Sequence, residues 1–215
     1  MFMDEARFGR SSERRPCWAP AGMRPVVPKH VIREWTYADA AVAPHDGAVV
    51  FAIHAKANTE HMTNFMATVS GTFPNDRILM VMDGTGWHKA KALILPPNIH
   101  RIFLPPYSPE LNPAEHVWDH MRENEFANRV YATLAAVEIG MNTGLNRLSE
   151  KPNIARSRCG FEWIVIMSLK ADWYKTVNFI AVSALWQAPH PHVMRQGISQ
   201  PICAWWRPSA VLWQA

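Results

Sequence analysis

The run Arg77-Ile-Leu-Met-Val-Met82 carries five consecutive apolar side chains and stops at Asp83-Gly84. Successive side chains of a strand point to opposite faces, so a run like this has to be covered on both sides. That makes it a central strand between helical layers, with an aspartate at its C-terminal end. The rest of the chain supplies the layers. Met1 to Phe8 reads as a short strand, and Val31 to Val42 and Gly47 to Ile53 as a meander around the turn Pro44-His45-Asp46-Gly47. Arg101 to Leu104 is a further strand, stopped by Pro105-Pro106. Met62, Phe65, Met66 and Val69 fall at i, i+3, i+4 and i+7, one face of a helix that begins near Thr59. Leu134, Val137, Met141, Leu145 and Leu148 mark a second helical face. Trp87 to Leu95 is expected to form a short helix closed by Pro96-Pro97. Asn112-Pro113-Ala114-Glu115 has the grammar of a helix start, with Asn as cap, Pro at the first position and Glu at the third; that helix runs to about Glu125. The expected fold is α/β, a mixed sheet flanked by helices.

Composition narrows the class of protein. The chain has 215 residues, room for one domain plus appendages, and is 48% hydrophobic and 19% charged, which is globular rather than disordered. Its formal charge of +4 permits a polyanionic partner without requiring one. Gly9 to Pro28 carries Arg10, Arg14, Arg15 and Arg24 among prolines and reads as a basic loop. Cys17, Cys159 and Cys203 are far apart and odd in number, so no disulfide framework is expected and a reducing cytosol is the default. Asp4 and Glu5 precede any apolar stretch, which argues against a signal peptide. The most apolar region, 161–186, is cut by Glu162, Lys170, Asp172 and Lys175, so no membrane span is expected. The last 40 residues contain no Asp or Glu but four Trp and four Pro, and keep no helical or strand period. Residues 176–215 are therefore read as an irregular C-terminal tail.

Three acidic residues stand at positions suited to chemistry. Asp4 lies in the first strand, Asp83 at the end of the buried one, and Glu115 in the first turn of a helix. Three converging carboxylates repel one another unless a divalent cation neutralises them, and an all-oxygen donor set favours Mg²⁺ or Mn²⁺ over Zn²⁺. Two such ions ~4 Å apart activate a water or 3′-hydroxyl and stabilise the leaving oxygen in phosphodiester chemistry. Blander readings stand beside this one. Glu115 can simply close a capping box on Asn112, Asp83-Gly84 can be an ordinary strand-to-turn step, and Asp4 a solvated charge. His116 and His120 have a helical spacing that can hold zinc, although the segment is not His-Glu-x-x-His. Relief of carboxylate repulsion would also let Asp83→Asn stabilise the fold.

The segments Met3-Asp4-Glu5-Ala-Arg7-Phe8-Gly9, Met82-Asp83-Gly-Thr-Gly-Trp87-His88-Lys89 and Leu104-Pro-Pro-Tyr107-Ser-Pro109-Glu-Leu-Asn112-Pro113-Ala-Glu115-His-Val-Trp118 resemble, in this order, the DDE transposases of the Tc/mariner superfamily, in particular their bacterial insertion-sequence branch. Asp83 and Glu115 are 32 positions apart, in line with the short second spacing of that family. The resemblance covers Met1 to about Lys175. It implies an RNase H-like catalytic domain over 1–175, with Asp4, Asp83 and Glu115 binding two Mg²⁺ or Mn²⁺ ions, that cleaves DNA strands and transfers them. Arg7, Arg10, His88, Lys89, Lys91 and Arg101 are the candidates for contacting DNA. The implied partners are transposon-end and target DNA and a second copy of the chain, and the implied place is the bacterial cytoplasm, at the nucleoid when DNA is bound. The family's N-terminal helix-turn-helix domain is not found before Asp4. The expectation is a truncated copy or half of a split reading frame, with a partner supplying that domain. The rival expectation is an inactive remnant that at most binds DNA non-specifically or serves as an interaction module.

Overall fold

The computed structural model describes residues 1–10, 15–26, 31–86 and 88–165. The predicted tail and Trp87 lie outside the described residues. The elements are β1 (Phe2–Gly9), β2 (Trp35–Ala43), β3 (Ala48–His54), α1 (Thr59–Thr72), β4 (Ile78–Met82), β5 (Ile99–Phe103), α2 (Glu115–Asn124), α3 (Leu134–Ser149) and α4 (Pro152–Cys159).

The five strands form one sheet in the order β3-β2-β1-β4-β5. β1, β2 and β3 run antiparallel through the predicted turn, with Asp4 opposite Ala40 and Glu5 opposite Asp39. β4 joins β1 in parallel, Phe2 opposite Val81, and β5 extends the sheet in parallel. The result is the mixed sheet that an RNase H-like fold requires.

Each face has its own core. Met62, Phe65, Met66 and Val69 of α1 pack on Met3, Ala41, Val50, Met80 and Met82. On the opposite face, Val117, Trp118 and Met121 of α2 and Val137, Met141, Leu145 and Leu148 of α3 pack on Ala6, Phe8, Ala38, Ala40 and Val42. The alanines of β2 let helices approach closely from both sides. Period-two alternation then decides where Asp4 goes: Met3 faces α1, whereas Asp4 shares the face of Ala6 and Phe8, on which α2 is packed.

α1 and α3 begin where capping residues allow. Asn58 accepts from the His61 N–H at 2.8 Å and Thr133 from the Ala136 N–H at 3.1 Å. Two expectations need correction. No helix forms over 88–95; the segment is a series of turns, with the His88 N–H donating to the Thr85 carbonyl and the Leu93 N–H to that of Ala90. The physical reason is that the His88 carbonyl, which a helical ladder would use, accepts from Arg101 instead, while the His88 ring turns back to Asp83. The second correction is small. α2 starts at Glu115 after a tight lead-in turn in which the Asn112 side chain accepts from the Ala114 N–H at 3.2 Å. Asn112 is thus a cap for that turn, while its own N–H bonds back to Pro109, so no capping box with Glu115 closes.

Candidate active site

Asp4, Asp83 and Glu115 come from three elements. Asp4 sits within β1, Asp83 directly follows β4, and Glu115 is the first residue of α2. Parallel pairing of β1 with β4 puts the two aspartates at neighbouring levels of the sheet. Glu115 is brought up by the docking of α2, which Asn112 ties to β1 by donating to the Met3 carbonyl at 3.2 Å.

The three carboxylates feel one another. Asp4 is pushed up to about 7, first by burial and then by the charge of Glu115, with a smaller push from Asp83; the Glu5 backbone N–H and the Trp118 indole pull it down. Glu115 is also raised, chiefly by burial, with Asp119 and Asp83 adding to it and Arg122 opposing. Asp83 behaves differently. Burial alone would raise it, but the His88 hydrogen bond and charge, together with the Thr85 N–H and hydroxyl, hold it below the usual carboxylate range.

A hard divalent cation fits this donor set, because the oxygens are all carboxylate and their mutual repulsion is what such an ion relieves. Among the described residues, no group of three or more His, Cys, Asp or Glu side chains already has the arrangement of a metal cage. The carboxylates are within electrostatic reach without sharing one coordination sphere. His116 and His120 are occupied otherwise. The His116 ring lies edge-on to Phe161 at 5.1 Å, and His120 Nδ1 is 3.1 Å from the Asn124 amide.

The predicted DNA contacts divide into two groups. Arg7, Lys89 and Lys91 are exposed. Arg7 stacks over Trp35 at 4.9 Å, and the Lys89 ammonium lies beside Gly84, where a side chain would collide with it. Arg10, Arg101 and His88 are turned inward. Arg10 pairs with Glu34 at 2.8 Å and donates to the Tyr131 carbonyl, and Arg101 donates to the His88 carbonyl. His88 is 2% exposed, with Nδ1 2.6 Å from Asp83 Oδ1, so it faces the carboxylate and not a phosphate.

One group escaped the sequence reading. Asp39, in the middle of β2, is 1% exposed, and neither of its oxygens accepts a hydrogen bond. His54 Nε2 lies 3.7 Å from Oδ2. Burial pushes Asp39 up to about 8, with Glu5 and Asp4 adding to it, and burial and then His61 push His54 down to about 4. The available signal was an acid inside the β-rich run Thr36–Val42. The folded chain keeps a proton on Asp39 between its ordinary 3.8 and about 8, where the unfolded chain has lost it, so this group's contribution falls as pH rises through that window. Between pH 6.5 and 8, with the His54 contribution common to both chains, Asp39→Asn should gain on the parent by up to about 1.4 kcal/mol per pH unit. Urea unfolding at a series of pH values measures it; a difference independent of pH means Asp39 is ionised in the fold.

Among the described residues no helix is long and apolar enough to cross a membrane. A model of the DDE superfamily endonuclease family matches residues 1–138, from β1 into α3 and across all three carboxylates. An uncharacterised protein of Sinorhizobium fredii, y4pE/y4sA, is 33% identical over 119 residues, which span 55% of this chain and 88% of that one. Two solved structures share the fold. They are the Mos1 transposase paired-end complex with left transposon end (16% identity) and the Mos1 mariner paired end complex with Mn (14%). Each superposes with a TM-score of 0.50 over 74% of this chain, which spans only 55% of the Mos1 chains. On the length and position of the family match, this chain belongs to the DDE superfamily endonuclease family.

Proposed function

We propose that the chain is the catalytic domain of a transposase, cleaving DNA strands and joining 3′-OH ends to target DNA with Asp4, Asp83 and Glu115 holding two Mg²⁺ or Mn²⁺ ions. One observation carries the reading: three acids from separate elements lie within electrostatic reach, with Asp4 raised by burial and then by the charges of Glu115 and Asp83, and Glu115 raised by burial with Asp119 and Asp83 adding to it. The ions would supply Lewis-acid activation of the attacking oxygen and stabilisation of the leaving one. The chain's own part is to hold the carboxylates in place, with Asp83 kept anionic by His88 and Thr85, and to exclude water with the apolar packing behind Asp4. Arg7, Lys89 and Lys91 offer exposed positive charge to the DNA backbone. A second copy, or a partner carrying a DNA-recognition domain, completes the assembly, and the bacterial cytoplasm is where the reaction takes place. Nothing in the site favours an inactive remnant.

The test is nicking of a supercoiled plasmid in Mn²⁺, with EDTA as control. Metal-dependent nicking is the expected result, and none at any metal concentration removes the reading. DNA binding is expected to be weak and indifferent to sequence, because readout needs side chains placed against base edges. Affinity for terminal-repeat or scrambled DNA should lie in the ~10⁻⁴ to 10⁻⁶ M range at physiological salt and fall steeply with added salt. A gel-shift preference above ~100-fold would show that this chain carries a recognition element, since specific binding usually starts near 10³.

A further inference from the structure

We infer that two buried ring N–H groups, the Trp118 indole and the His88 imidazole, are positioning residues that fix the Asp4 and Asp83 carboxylates as metal ligands. The inference rests on the proposed function and adds to it two residues that touch no metal. A carboxylate on a free χ2 presents either oxygen in many directions; a donor locked in the core removes that freedom before an ion arrives.

Trp118 is 0% exposed, and its ring meets Phe8 edge-on at 6.1 Å. Its Nε1–H donates to Asp4 Oδ2 at 2.9 Å. Trp118 lies three residues after Glu115, so both project from the same side of α2. One helix therefore supplies a carboxylate and the donor that orients another, and Asn112 ties the turn before that helix to the backbone of Met3, beside Asp4. A buried indole N–H needs a hydrogen-bond partner, and here that partner is the acid.

His88 plays the same part at Asp83. Its Nδ1 is surrounded by oxygens: Asp83 Oδ1 at 2.6 Å, Thr85 Oγ1 at 2.8 Å and the Asp83 carbonyl at 3.1 Å. That environment assigns the ring proton to Nδ1. The Thr85 N–H and hydroxyl also donate to Oδ1, at 3.3 and 3.1 Å. The three contacts with the Asp83 carboxylate all fall on Oδ1, which leaves Oδ2 to an incoming ligand. Arg101 holds the His88 carbonyl from β5, which fixes the backbone from which the ring projects.

Mn²⁺ titration of the full chain without DNA, followed by calorimetry, tests this alongside the thermal midpoint of each metal-free variant. Trp118→Phe keeps the ring and loses the N–H; His88→Ala loses the donor, and His88→Asn restores one near the Nδ1 position. Outer-shell partners of ligands are worth about 10–100-fold in metal affinity. Trp118→Phe and His88→Ala should each weaken Mn²⁺ binding by roughly tenfold or more, and His88→Asn should recover most of the loss. If Trp118→Phe and His88→Ala both bind like the parent while Asp83→Asn does not bind, or if affinity simply follows the fall in thermal midpoint, the positioning role is overturned and the metal site stands. If the parent binds Mn²⁺ no better than Asp83→Asn, the proposed function falls and this inference with it.

Discussion

Replacing Asp83 by asparagine is expected to cut metal-dependent nicking by at least ~10³-fold, because a bound metal supplies several kcal/mol and each ~1.4 kcal/mol is a factor of ten. Asparagine has the same shape, and its Oδ1 still accepts from Thr85, so the domain should remain folded. Stability should nevertheless fall slightly. The sequence suggested the opposite, a gain from relieved repulsion. The repulsion, however, is concentrated on Asp4 and Glu115, while His88 and Thr85 hold Asp83 below the ordinary carboxylate range. An Asp83 that is anionic and partnered contributes stability above the unfolded pKa, and asparagine forfeits it. Plasmid nicking in Mn²⁺ and a melting curve, run on the same preparation, read both effects. A variant that nicks at the parent's rate places the chemistry elsewhere.

Trp118→Ala is expected to be the most damaging single change to the fold, at about 3–5 kcal/mol for a fully buried tryptophan. The ring is wholly inside the core between the sheet and α2–α3 and packs on Phe8. Alanine leaves a cavity and also deprives Asp4 of its indole donor, so a stability loss and a weakened site should arrive together. Urea unfolding measures the first; a loss under about 1 kcal/mol would contradict the burial. The contrast with Trp118→Phe is informative, since the phenylalanine refills most of the space and isolates the hydrogen bond.

The sequence carried most of the architecture because strand and helix periods are local. The five apolar residues after Arg77 could only be a covered strand, and the stripe Met62-Phe65-Met66-Val69 could only face a core. The second helical stripe was equally plain, since Val137, Met141, Leu145 and Leu148 are all buried. Motif order named the three acids. What failed was local grammar where a tertiary tie outweighed it. The segment after Asp83 has residues that suit a helix, yet a long-range bond from Arg101 and the turn of His88 onto Asp83 hold it as turns. α4 went unread for a related reason: Pro152 to Cys159 is short and polar, and only its contact with the rest of the domain buries Ala155 and Cys159.

The sequence by itself determined the order of the strands and longer helices and the two apolar faces of the sheet, and it named three acids as candidates, since each is written in residue type and spacing. Only the tertiary structure decided which charges are free and which are committed. Arg10, Arg101 and His88 looked like phosphate ligands until their partners, 24, 13 and 5 positions away, came into contact. Asp39 looked like any strand residue until the packing of the sheet removed water from it. A side chain's charge state depends on neighbours and on solvent, and neither is a property of the position in the chain.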